Sequence, residues 1–350
     1  MSYLGFTGDE LEAMHDTINA LQLCFHHKYA PNGKFSFRDI SRLQDEDVEI
    51  TIIADKNLVS PICEIAKNGT LKDEFRLRKV ALFVIWTKFI NARLTCGIGL
   101  LENDTAELST ATGEENRMQF LHGVDNIPAM IWKNIAFGYM DCVPTQFLFD
   151  GKIDNSKNYR LDDSLLLLSN ETAMVRIVQI LRTSKAAGID KFIDFMNWYT
   201  DHLDIAESIV VYAAMVFANI QNVALPKNLN SQDFQKVVKG IKNQAWDVTY
   251  ITAWSNRYYN EPKESCTMFA TDDITQKIIT VNVIPPGQCA EALDAIFHTN
   301  AQHKKLMELA DAKLGKARIR PFEGKEESEK VAIVKDLLKH EYGELEKMCS

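Results

Sequence analysis

Apolar residues along this chain recur mainly at helical spacing, with two short β-branched interruptions. Ile18, Leu21, Leu23 and Phe25 carry the first helical stripe, and residues 8–30 read as an opening helix that stops at the turn Pro31-Asn32-Gly33. Residues 47–54 (DVEITIIA) predict a strand. Residues 57–67 then turn helical, with Gly69 as the stop, and a second helix over 72–93 has a mixed-charge start and a nearly all-apolar middle. A polar break at 113–116 lies in a long, lightly structured piece. Helices follow over 164–183, 188–202 and 206–225, the last closed by Pro226. The pattern predicts a further helix over 231–242, capped by Ser231, and an aromatic one over 244–258. Residues 267–270 (TMFA) read as a strand that ends at Thr271-Asp272-Asp273. Beyond an apolar segment at 276–283, helices are expected at about 288–314 and 326–348. No internal repeat and no Gly/Ser/Pro linker divides the chain. The pattern is α/β, with few strands, a large helical insertion and a helical C-terminus.

Composition narrows the class. Of 350 residues, 46% are hydrophobic and 25% charged, with 16 Gly and 9 Pro, which fits a soluble globular protein and excludes collagen-like or disordered readings. The longest apolar stretch, 209–218, is about half of a membrane span. The N-terminus shows no charged segment followed by an apolar one. A cytoplasmic protein without a membrane partner is therefore expected. Seven scattered cysteines without a CxxC argue against a zinc ribbon, a thioredoxin-like motif or a disulfide framework. The net charge of −9 does not advertise a nucleic-acid binder, yet it leaves room for a nuclease, whose metal-binding carboxylates add negative charge themselves. Neither a phosphate-binding glycine loop nor a GxSxG or HExxH signature is present.

Four acidic positions stand where elements begin or end. Asp55 follows the first strand, Glu102 follows the apolar run IGLL, Asp247 lies in the aromatic helix QAWDVTYITAW, and Asp273 closes the strand TMFATDD. Carboxylates at strand C-termini point into the crevice where open α/β sheets bind ligands. Several converging there suit a hard cation such as Mg²⁺ or Mn²⁺. Each residue alone has a plainer explanation: Asp55 as a helix cap, Glu102 as a solvated side chain, Asp247 as a satisfied polar group in the core, Asp272-Asp273 as a turn.

Together, their order and contexts resemble the PIN-domain nucleases, a metal-dependent family that includes toxin ribonucleases. The resemblance rests on ITIIADKNLVSPICEIA with Asp55 and Asn57, IGLLEND with Glu102, AWDVTYI with Asp247, and MFATDD with Thr271 and Asp273. It implies a small parallel sheet flanked by helices. Its halves would cover residues 45–120 and 240–285, with a helical segment at 1–44, an insertion at 121–239 and C-terminal helices over 286–350. It also implies a phosphodiesterase, RNA more than DNA, of toxin, defence or RNA-processing type. Asp55, Glu102, Asp247 and Asp273 would be catalytic and hold one or two Mg²⁺ or Mn²⁺ ions. Asp272 stands in for Asp273 if the strand ends one residue earlier, and Asn57 and Thr271 would orient ligand or water. Glu64, Glu107, Glu114 and Glu115 are reserves for Glu102.

Basic residues recur at Arg76, Arg78 and Lys79, along 300–320, and at Lys236, Lys239 and Lys242, whose 3–4 spacing leads into the helix of Asp247. The last three are the expected contacts to substrate phosphates. The run Cys24-Phe25-His26-His27 reads as surface or interface, since adjacent histidines on a helix face different ways. Two other classes stay open: an inactive binding module for nucleic acid or protein, and an assembly protein with oligomer contacts through 206–225 and the tail 331–345. A homo-oligomer or an inhibitory protein partner is compatible with each.

Overall fold

The computed structural model describes residues 5–96, 99, 110–151, 164–258, 260–283, 288–313 and 320–349. The chain divides into two compact units: Met1–Leu161 with Asn256–Asp273, and Asp162–Ser255 with Ile274–Ser350.

In the first unit, α1 (Gly8–Leu21) starts at a capping box between Thr7 and Glu10. It ends where Gln22 turns left-handed at φ 48°. The predicted 8–30 helix is thus too long. Cys24 and Phe25 form β1 (Cys24–Phe25), fully buried and paired with the last residues of a distant strand, and this pairing overrides the local helical spacing. Gly33, at φ 75°, closes the turn that follows; an added Cβ would lie 2.9 Å from the Phe25 ring. After α2 (Phe37–Asp45), β2 (Glu49–Ala54) leads through Asp55 into α3 (Lys56–Asn68), which Gly69 terminates at φ 82°. Next, α4 (Glu74–Phe89) is buried almost all round from Leu77 to Thr87, as a helix with an apolar middle requires.

Asn91, at φ 54°, redirects the chain into β3 (Arg93–Thr95), a strand absent from the sequence reading because only three residues form it. The piece read as lightly structured contains α5 (Thr110–Leu121), which runs through the expected break at 113–116, and α6 (Ala129–Ala136), which packs on α4. β4 (Ser265–Ala270) completes the sheet in the order β1-β4-β2-β3. β2 pairs in parallel with both β3 and β4, whereas β1 is antiparallel to β4. The sheet is therefore mixed, not all-parallel as expected, because the two-residue β1, which carries no readable period, joins β4 antiparallel. Ile52 and Met268 meet Leu58, Ile62, Val80 and Val84 in the core beside this sheet.

Among its described residues the regular elements of the second unit are all helices: α7 (Leu165–Thr183), α8 (Gly188–His202), α9 (Glu207–Phe217), α10 (Phe234–Tyr258, whose residues from 256 on belong to the first unit), α11 (Ile274–Val283), α12 (Gln288–Ile296), α13 (Asn300–Lys313) and α14 (Glu327–Lys347). α14 packs on α7. Arg182 ties this packing together by donating to the carbonyls of Leu229 (2.9 Å), Ser231 (3.0 Å) and Met348 (2.8 Å).

Three helix boundaries differ from the reading. The 206–225 helix stops at Phe217, before left-handed Asn219 and Asn222. The helices at 231–242 and 244–258 are one, since Asn243 supplies no stop, and Asp233 rather than Ser231 accepts the first N–H groups. The 288–314 helix is two, because Thr299 caps a new start by accepting from Gln302 N at 3.3 Å. Residues 129–136, assigned from sequence to the insertion, belong to the first unit. Among the described residues, no helix is long and apolar enough to cross a membrane.

Candidate functional site

β2 and β4 lie side by side with Ala54 opposite Ala270, so the residues that follow them, Asp55 and Thr271, emerge together from the sheet. Asp55 N donates to the Ala270 carbonyl (2.9 Å), and Thr271 N donates to that of Leu23 (2.9 Å). Both side chains are fully buried. The Thr271 hydroxyl donates to Asp55 Oδ2 at 2.7 Å, and the Asn57 amide reaches the same oxygen at 3.2 Å. Leu58 N donates to Oδ1 at 3.1 Å, so Asp55 also caps α3. Thr271 Oγ1 in turn accepts from Asp273 N at 3.0 Å, which fixes the backbone that carries Asp273.

The hydrogen-bond donors to Asp55, from Thr271, Asn57 and Leu58, are electrically neutral. Burial therefore dominates and pushes its carboxyl from 3.8 to about 7, with the negative charge of Asp273 pushing the same way; the bonds from Thr271, Asn57 and Leu58 pull back only in part. The donor set is oxygen only. A carboxylate has about four acceptor positions, and three of those on Asp55 are used. A hard cation would suit this set by offsetting the repulsion between Asp55 and Asp273. Asp272 points elsewhere, into an ion pair with Lys79. Lys79 Nζ also lies 5.4 Å from the centroid of the Phe75 ring, and Arg76 donates to the Asn57 carbonyl at 3.3 Å. The structure thus brings together Asp55, Asn57, Thr271 and Asp273, with basic side chains from α4 beside them.

No family model matches the chain, and neither does any curated protein or solved structure.

Asp247 belongs to the second unit, where it accepts from Gln276 Nε2 at 3.0 Å. Burial first, then the nearby Asp247 charge, pushes the Tyr212 phenol well above its ordinary value. Lys236, Lys239 and Lys242 are all exposed on α10, and Lys236 pairs with Asp233 at 3.3 Å. Glu102 and Glu107 lie outside the described residues. Of the other reserves, Glu64 is exposed, Glu114 pairs with Arg117 (2.6 Å) and Glu115 with Lys67 (2.9 Å).

A second cluster went unseen in the sequence. His26 and His27 follow a strand, not a helix, and both rings turn onto Glu261. The surface reading of this pair is thus corrected: His26 is buried, its Nε2 lies 3.1 Å from Glu261 Oε2, and His27 Nδ1 lies 4.0 Å from the same oxygen. These three residues are close enough together to suggest a metal, but the tautomer opposes it. Lys28 N and Tyr29 N both donate to His26 Nδ1, at 3.1 and 3.2 Å, so that nitrogen carries no proton and Nε2–H must donate to Glu261. A cation at Nε2 would need an imidazolate or the loss of both amide bonds. Glu261 also accepts from Thr267 N on β4. Burial acts most strongly on this carboxyl and raises its pKa, but the bonds from His26 and Thr267, with both imidazoles beside it acting the same way, bring it below its ordinary value. The cluster anchors the turn after β1 to the segment that enters β4.

Proposed function

We propose that this chain is a PIN-like, metal-dependent phosphodiesterase that cleaves RNA. One observation carries the reading: a buried Asp and a buried Thr, hydrogen-bonded to each other, stand at the ends of two adjacent parallel strands, with a second carboxylate, Asp273, held on the same turn. That is the arrangement the D-x-N and T-x-D motifs imply at the catalytic end of such a sheet.

In this reading Asp55 and Asp273 hold Mg²⁺ or Mn²⁺, and the sequence pattern alone assigns Glu102 and Asp247 the same role. When bound, such an ion supplies an activated water and offsets charge on the phosphoryl oxygens. The protein's part is positioning. Thr271 and Asn57 fix the Asp55 oxygens through their hydrogen bonds, and Thr271 sets the turn that presents Asp273. Lys236, Lys239 and Lys242 are assigned to substrate phosphates, as a sequence-independent basic row.

The test is incubation of labelled single-stranded RNA and DNA with the protein in Mg²⁺ or Mn²⁺, alongside Asp55→Asn. The expected result is metal-dependent cleavage of RNA that the variant loses. Cleavage at the wild-type rate by folded Asp55→Asn, or no cleavage by the wild type under any of these conditions, overturns the reading.

A further inference from the structure

Phe75 is the most conspicuous side chain near the acidic pole. It sits in the first turn of α4 and is 67% exposed, with Lys72, Asp73, Glu74 and Arg76 exposed around it. A lone aromatic among charges is a poor protein-docking patch, since that requires contiguous apolar surface. It is, however, what a base-stacking surface needs: an open aromatic face with cations beside it. The surrounding geometry ties the ring to the site. Lys79 joins Phe75 by a cation–π contact and Asp272 by an ion pair. Arg76 uses one N–H on the Asn57 carbonyl, out of the five a guanidinium carries, and its side chain is otherwise open to solvent. The acidic neighbours are already engaged: Glu74 pairs with Arg78, and Asp73 accepts from Arg76 N at 3.1 Å as the cap of α4.

We propose that Phe75, Arg76 and Lys79 form a single-strand platform, with Phe75 stacking on one base of an RNA strand, Arg76 contacting an adjacent phosphate and Lys79 holding the ring toward the acidic pole. As the feature that selects the substrate, the platform rests on the nuclease reading above. It favours single strands because the faces of paired bases are already covered in a duplex. Phe75 and Arg76 are binding residues here, and Lys79 is a positioning residue.

The test is fluorescence anisotropy of a labelled oligouridylate in chelator, where no cleavage occurs, paired with the metal-dependent cleavage assay on the same preparations. Phe75→Ala should weaken binding by roughly 5- to 150-fold, the range of base–aromatic stacking, with an unchanged salt slope. Phe75→Trp should restore binding. Arg76→Ala should weaken binding and reduce the salt slope by about 0.7, the loss of one phosphate contact to a single strand. Lys79→Ala should weaken single-strand binding less than Phe75→Ala does. Duplex RNA should be insensitive to Phe75→Ala. Wild-type affinity in Phe75→Ala, or equal losses for single strand and duplex, overturns the platform. The two proposals fail separately. Cleavage that persists with unaltered Phe75→Ala affinity removes the platform and keeps the nuclease. Absence of cleavage with weakened Phe75→Ala binding does the reverse.

Discussion

Asp55 and Glu261 are both carboxylates of the first unit, both largely withdrawn from water, and both bonded to residues of or beside β4. Glu261 precedes that strand and Asp55 meets its end. Burial raises both, yet one titrates above its ordinary value and the other below. The difference lies in the depth of burial and in the neighbouring charge. Glu261 faces two imidazoles and a backbone amide, whereas Asp55 faces a hydroxyl, an amide side chain and a backbone N–H, with Asp273 adding a like charge. Hydrogen bonds outweigh burial at Glu261, whose side chain stays 10% exposed, and do not at Asp55, which is wholly buried with a second carboxylate nearby. The Glu261 carboxyl is held by an imidazole and an amide, whereas at the Asp55 pole two carboxylates stand together, which is the feature the proposed metal site uses.

The largest expected effect comes from dismantling the Glu261 cluster. Glu261→Ala leaves the His26 Nε2–H and the Thr267 amide without acceptors in a buried setting. At about 1–3 kcal/mol for each stranded donor, urea unfolding should show a loss of roughly 3 kcal/mol. A loss near zero would remove the contrast with Asp55.

The next effect is in pH. Asp55 holds its proton more tightly folded than unfolded, so its contribution is fully present below about 4 and is lost as pH rises through about 7. His27, held down at about 4 chiefly by burial and then by His26, acts in the opposite sense: the folded state gains as pH rises from about 4 to 6.5. Glu261, lowered, likewise contributes above its unfolded value and loses that contribution on acidification. Wild type and Asp55→Asn share the latter two groups, so their difference isolates Asp55. Between pH 5 and 7 the wild type should lose on the order of 2 kcal/mol relative to the variant, read from urea midpoints at each pH. Parallel pH profiles would break the comparison.

Thr271→Val keeps the shape and removes the hydroxyl that joins Asp55 to Asp273 N. It should cost about 1–2 kcal/mol in the same assay and drive the Asp55 titration higher still. The smallest effect is the most specific. Mn²⁺ at ten times its Kd should stabilise the chelator-stripped protein by about 1.4 kcal/mol. A thermal melt should show the shift in wild type and in Glu261→Ala, and none in Asp55→Asn.

Much of the Asp55 pole was legible locally. A β-branched run ending in Asp-Lys-Asn before an apolar helix encodes the strand, the cap and the Asn57 contact, and Thr-Asp-Asp after TMFA encodes the second strand end. That these two ends adjoin follows from parallel pairing, which the motif order suggested. The Glu261 cluster was not legible, because His26 and its carboxylate are 235 residues apart and Glu261 sits in no motif. β1 was hidden for the same reason: two residues carry no period, and only their distant partner makes them a strand. Phe75 could be seen in sequence as an apolar residue among charges, but only the fold sets it beside Lys79 and Asp272.

One titration reads both carboxylates. In metal-free protein with ¹³C-labelled side-chain carboxyls, followed by NMR from acid to mildly alkaline pH, Asp55 should titrate at about 7 while Glu261 titrates below the ordinary glutamate value. An Asp55 midpoint in the ordinary range near 4, or a Glu261 midpoint at or above that of Asp55, would contradict it.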